Sequence, residues 1–204
     1  MKRIQTDIDK LQALKELENP ITFFGSARLK QDNFYYSCAK MLAYKCVNAG
    51  FSVISGGGGG IMQAANEGAL KAKEELNLKG VKSIGFNIHL PFEQKSNDFI
   101  EYSIVFESLA VRKMALIEKS LAFVIFPGGF GTLDELLEVL TLKQIGFRKS
   151  VPIFLFGKDF WQGLDDFIKT SLLDLEVISK GDEKHYCISD DLDFITQSLK
   201  EQLL

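Results

Sequence analysis

Short, almost uninterrupted apolar runs recur along this chain, and each is followed by a segment whose apolar residues have helical spacing. A strand that is apolar at every position must be covered on both faces, which is typical of parallel sheets. The alternation of such strands with helices therefore predicts an α/β fold with helices on both sides of the sheet. The predicted strands are residues 21–24, 51–55, 81–88, 102–106, 122–126 and 151–156, with a short seventh strand at 185–188.

Helical patterns fill the segments between these strands. The predicted helices are residues 34–49, 61–72, 109–119, 132–144, 161–173 and 190–203. Apolar residues at Ile4, Ile8, Leu11, Leu14 and Leu17 predict one further amphipathic helix within residues 1–20, which must pack on this domain or on a partner subunit. We therefore expect that helix to precede a single Rossmann-like domain over residues 21–204, doubly wound and mainly parallel. The ligand crevice of such a sheet lies beyond the carboxyl ends of its strands.

The composition excludes several classes of protein. The chain has 204 residues, of which 46% are hydrophobic and 25% charged, and these are the proportions of an ordinary soluble globular domain. Its net charge of −3 argues against a broad basic surface for nucleic acid. The longest apolar run, residues 121–126, is too short to cross a membrane, and residues 1–10 contain no signal-peptide core.

The residues that most often bind metals are scattered. Cys38, Cys46 and Cys187 form no CxxC pair, and only His89 and His185 are available as histidine partners. We therefore expect no disulfide framework, no metal site and no cofactor, and we place the protein in a reducing cytoplasm.

Two loops hold eight of the 17 glycines: Gly56 to Gly60, and Gly128 and Gly129 with Gly131. Each loop follows a predicted strand and precedes a predicted helix. Glycine lets a ligand approach the backbone amides, and the following helix N-terminus adds unpaired N–H groups, so each loop is suited to an anion such as phosphate. Neither loop is followed by the lysine of a P-loop. We expect the loops at neighbouring strand ends, where together they indicate a phosphate-bearing ligand.

Charged residues accompany the second loop. Asp134 and Glu135 follow it, while Arg112 and Lys113 lie in the preceding helix. One interpretation is structural, because Thr132 and Glu135 have the spacing of a capping box at a helix start. In the other interpretation a carboxylate faces a different part of the ligand, such as the sugar, and the two cations offset its charge.

These residues resemble the motifs of the Lonely Guy family, whose members were once widely labelled lysine decarboxylases. Residues 127–135 read Pro-Gly-Gly-Phe-Gly-Thr-Leu-Asp-Glu and resemble the PGGxGTxxE motif of that family, with an upstream element at Arg112-Lys113. Residues 24–27, and residues 56–58 together with 61–66, resemble its two N-terminal elements. The resemblance runs from about Ile21 to Phe167.

The resemblance implies hydrolysis of the N-glycosidic bond of a purine nucleoside 5′-monophosphate. The substrate would be AMP or a cytokinin riboside monophosphate, and the products would be free base and ribose 5-phosphate. Arg112 and Glu135 would be the catalytic pair. The expected substrate-binding residues are Ser26, Gly57, Gly58, Lys113, Gly128, Gly129, Phe130, Gly131, Thr132 and Asp134. The phosphate would lie at Gly129, Gly131 and Thr132. The resemblance also implies a homodimer or larger homo-oligomer, and a reaction that needs no metal.

Some positions depart from the family pattern or lie outside it. Asp134 stands where many members have Glu, so a direct contact by its shorter side chain stays open. We assign base preference to the pocket around Ser26, Arg28 and the irregular loop of residues 89–100, where no motif is recognisable. Phe130 and Phe147 are candidates for contact with a base or with a partner subunit.

Two other functions compete with hydrolysis, of which the first remains open and the second is rejected. The same anion loops would serve a non-catalytic protein that binds or carries a nucleotide or another phosphoribosyl ligand. A decarboxylase that uses pyridoxal phosphate would need a Schiff-base lysine, and the nearest lysines, Lys113 and Lys143, have no sequence context for that role. Release of free adenine from AMP would distinguish the hydrolase from the binding protein.

Overall fold

The strands of the sheet are all parallel, in the order β4-β3-β2-β1-β5-β6-β7. The computed structural model describes residues 2–14, 16–89, 95–148 and 151–204. The strands are β1 Pro20–Phe24, β2 Ser52–Ser55, β3 Ser83–Ile88, β4 Tyr102–Phe106, β5 Ala122–Ile125, β6 Ile153–Leu155 and β7 Cys187–Ile188. The predicted parallel sheet is therefore confirmed, with strand ends that differ by a few residues.

Seven α-helices lie within the described residues. They are α1 Lys2–Gln12, α2 Phe34–Asn48, α3 Ile61–Glu75, α4 Leu109–Glu118, α5 Phe130–Gln144, α6 Lys158–Phe167 and α7 Leu192–Leu203. A π-helical turn, Ile168–Leu172, continues α6, and a 3-10 turn, Asp182–Lys184, precedes β7. Within the same residues, no helix combines the length and the apolar character needed to cross a bilayer.

Strand residues alternate between two apolar layers, which explains why the strands are apolar throughout. In β1, for example, Phe23 packs with α2, α3 and α7, whereas Phe24 packs with α4, α5 and α6. Both side chains are almost fully buried. Each face of the sheet therefore has its own helical layer, as the doubly wound Rossmann-like prediction requires.

The order of the strands corrects one expectation about the glycine loops. The chain builds β1 to β4 in one direction and then returns through α4 to place β5 on the other side of β1. The loops after β2 and β5 are thus not at neighbouring strands, because β1 lies between them. The switch point between β1 and β5 is where a ligand crevice is expected.

The N-terminal helix is shorter than its apolar stripe. It ends at Gln12, and residues 13–14 and 16–19 belong to no helix or strand. The stripe packs within this chain, against the layer that contains α4. The residues that do so are Ile8, Leu11, Leu14 and Leu17.

Helix α5 begins two residues earlier than predicted. Gly129 is its N-cap residue, so Thr132 and Glu135 lie inside the helix and cannot form a capping box. The physical reason is that Thr132 is 5% exposed and packs under Gly128, where an added Cβ would collide with the threonine side chain. The capping-box interpretation is therefore wrong. The irregular loop predicted at residues 89–100 is described only at its two ends, since residues 90–94 lie outside the described residues.

Candidate active site

A cleft of about 840 Å³ opens at the switch point, beyond the carboxyl ends of the central strands. Its walls come from the loop after β1, the first residues of α5, the ends of β2 and β3, and one side of α4. The crevice predicted from the parallel sheet therefore exists, and it is large enough for a nucleotide-sized ligand.

The loop after β1 is held between the two glycine loops. Ser26 N donates to Pro127 O over 3.0 Å, and Ile61 N donates to Ser26 O over 3.0 Å. Gly60 has a φ of +61°, and an added Cβ there would collide with Ser26 O. Only glycine combines that backbone conformation with such a close approach, so one function of the first glycine loop is to fix the floor of the cleft.

The N-terminus of α5 faces the cleft without a side-chain cap. The N-cap residue is Gly129, and the first helical bond runs from Leu133 N to Gly129 O over 3.0 Å. The amides of Phe130, Gly131 and Thr132 precede that bond and therefore have no acceptor within the helix. A Cβ added to Gly129 or Gly131 would meet nothing within 4 Å, so a ligand can reach this backbone. The partial positive charge of the helix end favours an anion.

Arg112 and Glu135 meet inside the cleft. Arg112 Nη1 lies 3.8 Å from Glu135 Oε1, and the two side chains are only 11% and 15% exposed. Arg112 Nε also donates to Phe86 O over 2.7 Å, which ties the guanidinium to the end of β3. The other side of the guanidinium lies against Gly56, where any Cβ would collide with it.

Burial dominates the ionisation of this pair. Loss of hydration raises the pKa of Glu135 to about 7, although Arg112 opposes the shift and Asp134 adds to it. Burial also lowers the pKa of Arg112, an effect that Glu135 partly offsets, but an arginine stays charged at neutral pH. A separation of 3.8 Å is too long for a short charge-assisted hydrogen bond, so attraction does not overcome burial. Glu135 can therefore exchange a proton near neutral pH.

Lys113 lies on the outer side of the same contact between α4 and α5. Its Nζ is 2.7 Å from Asp134 Oδ2 and 2.9 Å from Glu138 Oε2. Burial alone would lower the pKa of Lys113, but the bonds to these two carboxylates raise it. Lys113 and Asp134 are thus engaged with each other, and neither lines the cleft.

Asparagine side chains hold the first glycine loop by its carbonyl groups. Asn87 Nδ2 and Asn97 N both donate to Gly57 O, over 3.2 Å and 3.0 Å, and Asn97 Nδ2 donates to Gly58 O over 3.0 Å. Gly57 and Gly58 are buried behind Gly56, which does line the cleft. The loop is therefore shaped by bonds from behind as well as by its own flexibility.

The structure brings together seven of the twelve site residues expected from the sequence. The expected residues that line the cleft are Ser26, Arg112, Gly129, Phe130, Gly131, Thr132 and Glu135. The expected residues that do not line it are Gly57, Gly58, Lys113, Gly128 and Asp134. Arg28, expected near the base, is also at the cleft, while Phe147 is 79% exposed and is absent from its lining.

Six other lining residues lie in segments that the sequence places at the crevice, although they were not expected individually to bind the substrate: Gly25, Ala27, Gly56, Met62, Leu109 and Leu133. Sequence reasoning missed Asn87 and Ile88, which lie at the end of β3. Asn87 had the one usable signal, because it is a polar residue at the carboxyl end of an otherwise apolar strand. It is 7% exposed, and its Oδ1 has no hydrogen-bond partner within the part of the chain that the structure describes.

Metal ligands are not grouped in the described ranges. Across residues 2–14, 16–89, 95–148 and 151–204, no three His, Cys, Asp or Glu side chains are arranged to hold a metal ion. The chemical groups that the cleft offers are the carboxylate of Glu135 beside the guanidinium of Arg112, and the backbone amides at the start of α5.

A sequence model of the family described as "possible lysine decarboxylase" matches residues 62–199. The chain belongs to this family. The matched segment includes both Arg112 and Glu135. Relatives named as cytokinin riboside 5′-monophosphate phosphoribohydrolases confirm the resemblance to the Lonely Guy family.

Two curated relatives illustrate the range of similarity within the family. A pyrimidine/purine nucleotide 5′-monophosphate nucleosidase of Escherichia coli K12 is 22% identical over 196 residues, which are 92% of this chain and 41% of that protein. A cytokinin riboside 5′-monophosphate phosphoribohydrolase of Arabidopsis thaliana is 30% identical over 152 residues, which are 72% of this chain and 65% of that protein. The chain thus spans less than two thirds of the length of either relative.

Solved structures share the fold at lower sequence identity. The molybdenum cofactor carrier protein of Chlamydomonas reinhardtii has a TM-score of 0.64 at 19% identity, and the alignment covers 93% of this chain and 99% of that one. A molybdenum cofactor binding protein from the phototrophic bacterium Rippkaea orientalis has a TM-score of 0.62 at 17% identity, and the alignment covers 94% of this chain and 99% of that one. At such identities the likeness establishes the fold alone.

Proposed function

We propose that this protein hydrolyses the N-glycosidic bond of a purine nucleoside 5′-monophosphate to free base and ribose 5-phosphate. The observation that carries the proposal is the buried pair of Arg112 and Glu135 inside a cleft that also contains the open N-terminus of α5. The names of the Escherichia coli and Arabidopsis thaliana relatives support the same reaction type.

The substrate would be held by its phosphate at the start of α5. The unpaired amides of Phe130, Gly131 and Thr132 would receive the phosphate oxygens. Glu135 lies farther along the same helix, so a phosphate anchored there would bring the ribose toward its carboxylate. The base would then extend toward Ser26 and Arg28 at the other wall. Binding energy from the phosphate would be used to orient the sugar at the reacting pair.

The reaction adds water to C1′ of the ribose and breaks the bond from C1′ to the base nitrogen. The electron pair of that bond leaves with the base, and the sugar passes through a cation like that of other glycoside cleavages. Glu135 would stabilise the cation and take the proton of the attacking water, and a pKa of about 7 suits both tasks at neutral pH. Arg112 would stabilise the negative charge on the departing base, because an arginine is too weak an acid to donate its proton.

A substrate panel tests this proposal. AMP should yield free adenine, detected by liquid chromatography, whereas adenosine should not, because it lacks the phosphate anchor. Glu135→Gln should reduce base release by about 10²- to 10⁴-fold while AMP binding persists in calorimetry. Glu138→Gln is the matched control, since Glu138 lies on the same helix but faces Lys113 outside the cleft lining. A Glu135→Gln protein that hydrolyses AMP like the wild type would refute the catalytic assignment.

The same experiment decides between catalysis and carriage. A nucleotide- or phosphoribosyl-binding protein would bind AMP without releasing adenine, and the fold is shared with molybdenum cofactor carriers. A decarboxylase based on pyridoxal phosphate finds less support, because Lys113 contacts two carboxylates and Lys143 donates to Val151 O, so that neither lysine lines the cleft.

We further propose a homodimer or larger homo-oligomer that works in the cytoplasm and takes AMP or a cytokinin riboside monophosphate. Self-association is supported by large apolar side chains on the outside of the molecule, including Leu137 and Ile145 of the α5 region at 49% and 57% exposure. The three free cysteines, Cys38, Cys46 and Cys187, favour a reducing compartment.

A further inference from the structure

The N-terminal helix holds the start of the helix that carries Arg112. Asp7 of α1 is completely buried, and its Oδ2 accepts hydrogen bonds from Glu107 N over 2.8 Å and from Ser108 N over 2.7 Å. These amides belong to the N-terminal end of α4, where Ser108 is the N-cap residue. Ser108 makes no side-chain cap bond among the described residues, and the carboxylate of Asp7 instead binds the amide of this N-cap residue and the amide before it.

The same carboxylate is balanced by a lysine that also binds the preceding strand. Lys10 Nζ lies 3.0 Å from Asp7 Oδ1 and donates to Val105 O over 2.7 Å. Burial opposes ionisation of Asp7, but the bonds from Ser108, Lys10 and Glu107 together lower its pKa. Asp7 and Lys10 therefore fix both the end of β4 and the start of α4. We call this set of contacts the α1 clamp.

Only one helical turn separates the clamp from the cleft. Arg112 N donates to Ser108 O over 3.0 Å, so the backbone of Arg112 follows the backbone that Asp7 holds. The guanidinium is further fixed by Phe86 O and lies 3.8 Å from Glu135. A rotation or fraying of the first turn of α4 would therefore change the distance between the two charged groups.

We propose that Asp7 is a positioning residue, which acts by fixing the first turn of α4 and thereby the guanidinium of Arg112 against Glu135. The expected effect on turnover rests on the proposed function, whereas the contacts of the α1 clamp do not depend on that function. It also assigns a role to α1, which lies outside the residues matched by the family model.

Asp7→Asn is the informative substitution. Asparagine keeps the shape, but it has one oxygen where aspartate has two, so it cannot accept from the amides on one side and from Lys10 on the other. Asp9→Asn is the matched control, because Asp9 lies on the same helix and its carboxylate accepts a surface bond from Gln5 Nε2 over 2.9 Å. Hydrogen exchange at the amides of Glu107 and Ser108 should become faster in Asp7→Asn and stay unchanged in Asp9→Asn.

Turnover and the titration of Glu135 test the effect on the site. We expect kcat for AMP to fall about 10- to 100-fold in Asp7→Asn, with a much smaller change in KM. The carboxyl titration midpoint of Glu135 should rise, because Arg112 is the strongest group that lowers it. Lys113 also lowers it, while burial, Asp134 and Glu138 raise it. Carbon NMR follows this midpoint without any turnover, and Glu135→Gln identifies the signal. A loss of overall stability alone would not move it.

Each outcome decides the proposal. Faster hydrogen exchange together with a raised titration midpoint of Glu135 supports the positioning role of Asp7. Neither reading requires that the wild type releases adenine, so a failure of the proposed reaction can be told apart from a failure of this inference. Wild-type exchange at Glu107 and Ser108, or faster exchange with an unchanged midpoint, overturns it. If Asp7→Asn does not fold, Lys10→Met supplies the same two NMR readings, because the lysine side chain is 36% exposed and its loss leaves the rest of α1 intact.

Discussion

Glu135 is a carboxylate in a place where its charged form is poorly hydrated. Burial raises its pKa to about 7, and the nearby Arg112 reduces the shift without cancelling it. An active-site carboxylate with such a pKa is divided between its two forms near neutral pH, which suits proton transfer. Chemistry that requires the carboxylate should therefore decline as the pH falls below about 7.

Glu135 should also destabilise the folded protein above neutral pH. Its pKa rises from 4.5 in the unfolded chain to about 7 in the folded one, so the folded state binds its proton more tightly. The folded state incurs no cost below pH 4.5, where both states are protonated. The cost grows between the two pKa values and reaches about 3 kcal/mol above pH 7. Glu135→Gln should thus raise the free energy of unfolding at pH 8 and leave it unchanged at pH 4.

Urea unfolding of the wild type and of Glu135→Gln at both pH values measures this difference. Glu138→Gln again provides the control, since Glu138 pairs with Lys113 and its side chain is 36% exposed. Equal stability of the wild type and Glu135→Gln at pH 8 would mean that the carboxylate is not desolvated as described.

Residues of the site were predictable from the sequence where a short motif carries them. Arg112 and Glu135 were expected because their segments resemble a family motif, whereas Gly129 and Gly131 belong to a local pattern with a physical meaning, namely a glycine loop before a helix start. Asn87 had only a partial signal, as a polar residue at the end of an apolar strand, because its place in the cleft depends on which strand lies beside β2. Asp7 was not predictable, since its bonds to Glu107 and Ser108 join segments 100 residues apart.

Helix α5 shows how one element can combine a structural and a binding function. Its first turn has no side-chain cap, and the backbone there is open because Gly129 and Gly131 would each accommodate a Cβ without contact. Gly128 is different, since an added Cβ would collide with Thr132. The three glycines of one motif are therefore required for two separate reasons.

This difference predicts opposite results for two alanine substitutions, one in the first turn of α5 and one just before that helix. Gly131→Ala should fold normally and gain up to about 1 kcal/mol of stability, since alanine is the better helix former. It should nevertheless weaken AMP binding in calorimetry, because the new methyl group would take up open space at a residue that lines the cleft. Gly128→Ala should lose about 1 to 3 kcal/mol in a thermal or urea unfolding experiment, because Thr132 must move. If Gly131→Ala binds AMP as tightly as the wild type, the phosphate does not lie at the start of α5.

The architecture of the whole molecule was predictable to the level of fold class. Continuous apolar runs can be satisfied only by a sheet that is covered on both faces, and the two helical layers fulfil that requirement. The order of the strands was not predictable, because pairing between β1 and β5 joins residues that are distant in the chain. The expectation that the two glycine loops follow neighbouring strands was wrong for this reason.

The assembly of the molecule can be tested on its apolar surface. Leu137 of α5 and Phe167 of α6 are 49% and 51% exposed, and both line a second cavity of about 250 Å³. If copies of the chain associate there, Leu137→Glu should shift the protein toward the monomer in sedimentation velocity. Leu76→Glu, at a leucine of 40% exposure near the end of α3, should not. A wild type that sediments as a monomer at all concentrations would exclude self-association.

The α1 clamp has a consequence for the order in which the chain can become organised. Asp7 is synthesised about 100 residues before the amides that donate to its carboxylate. The clamp therefore cannot close until Glu107 and Ser108 have left the ribosome and β4 has taken its place at the edge of the sheet. Until that moment the N-terminal segment has no buried partner for its carboxylate. The first turn of α4 becomes fixed only when α1, which is synthesised much earlier, packs against it.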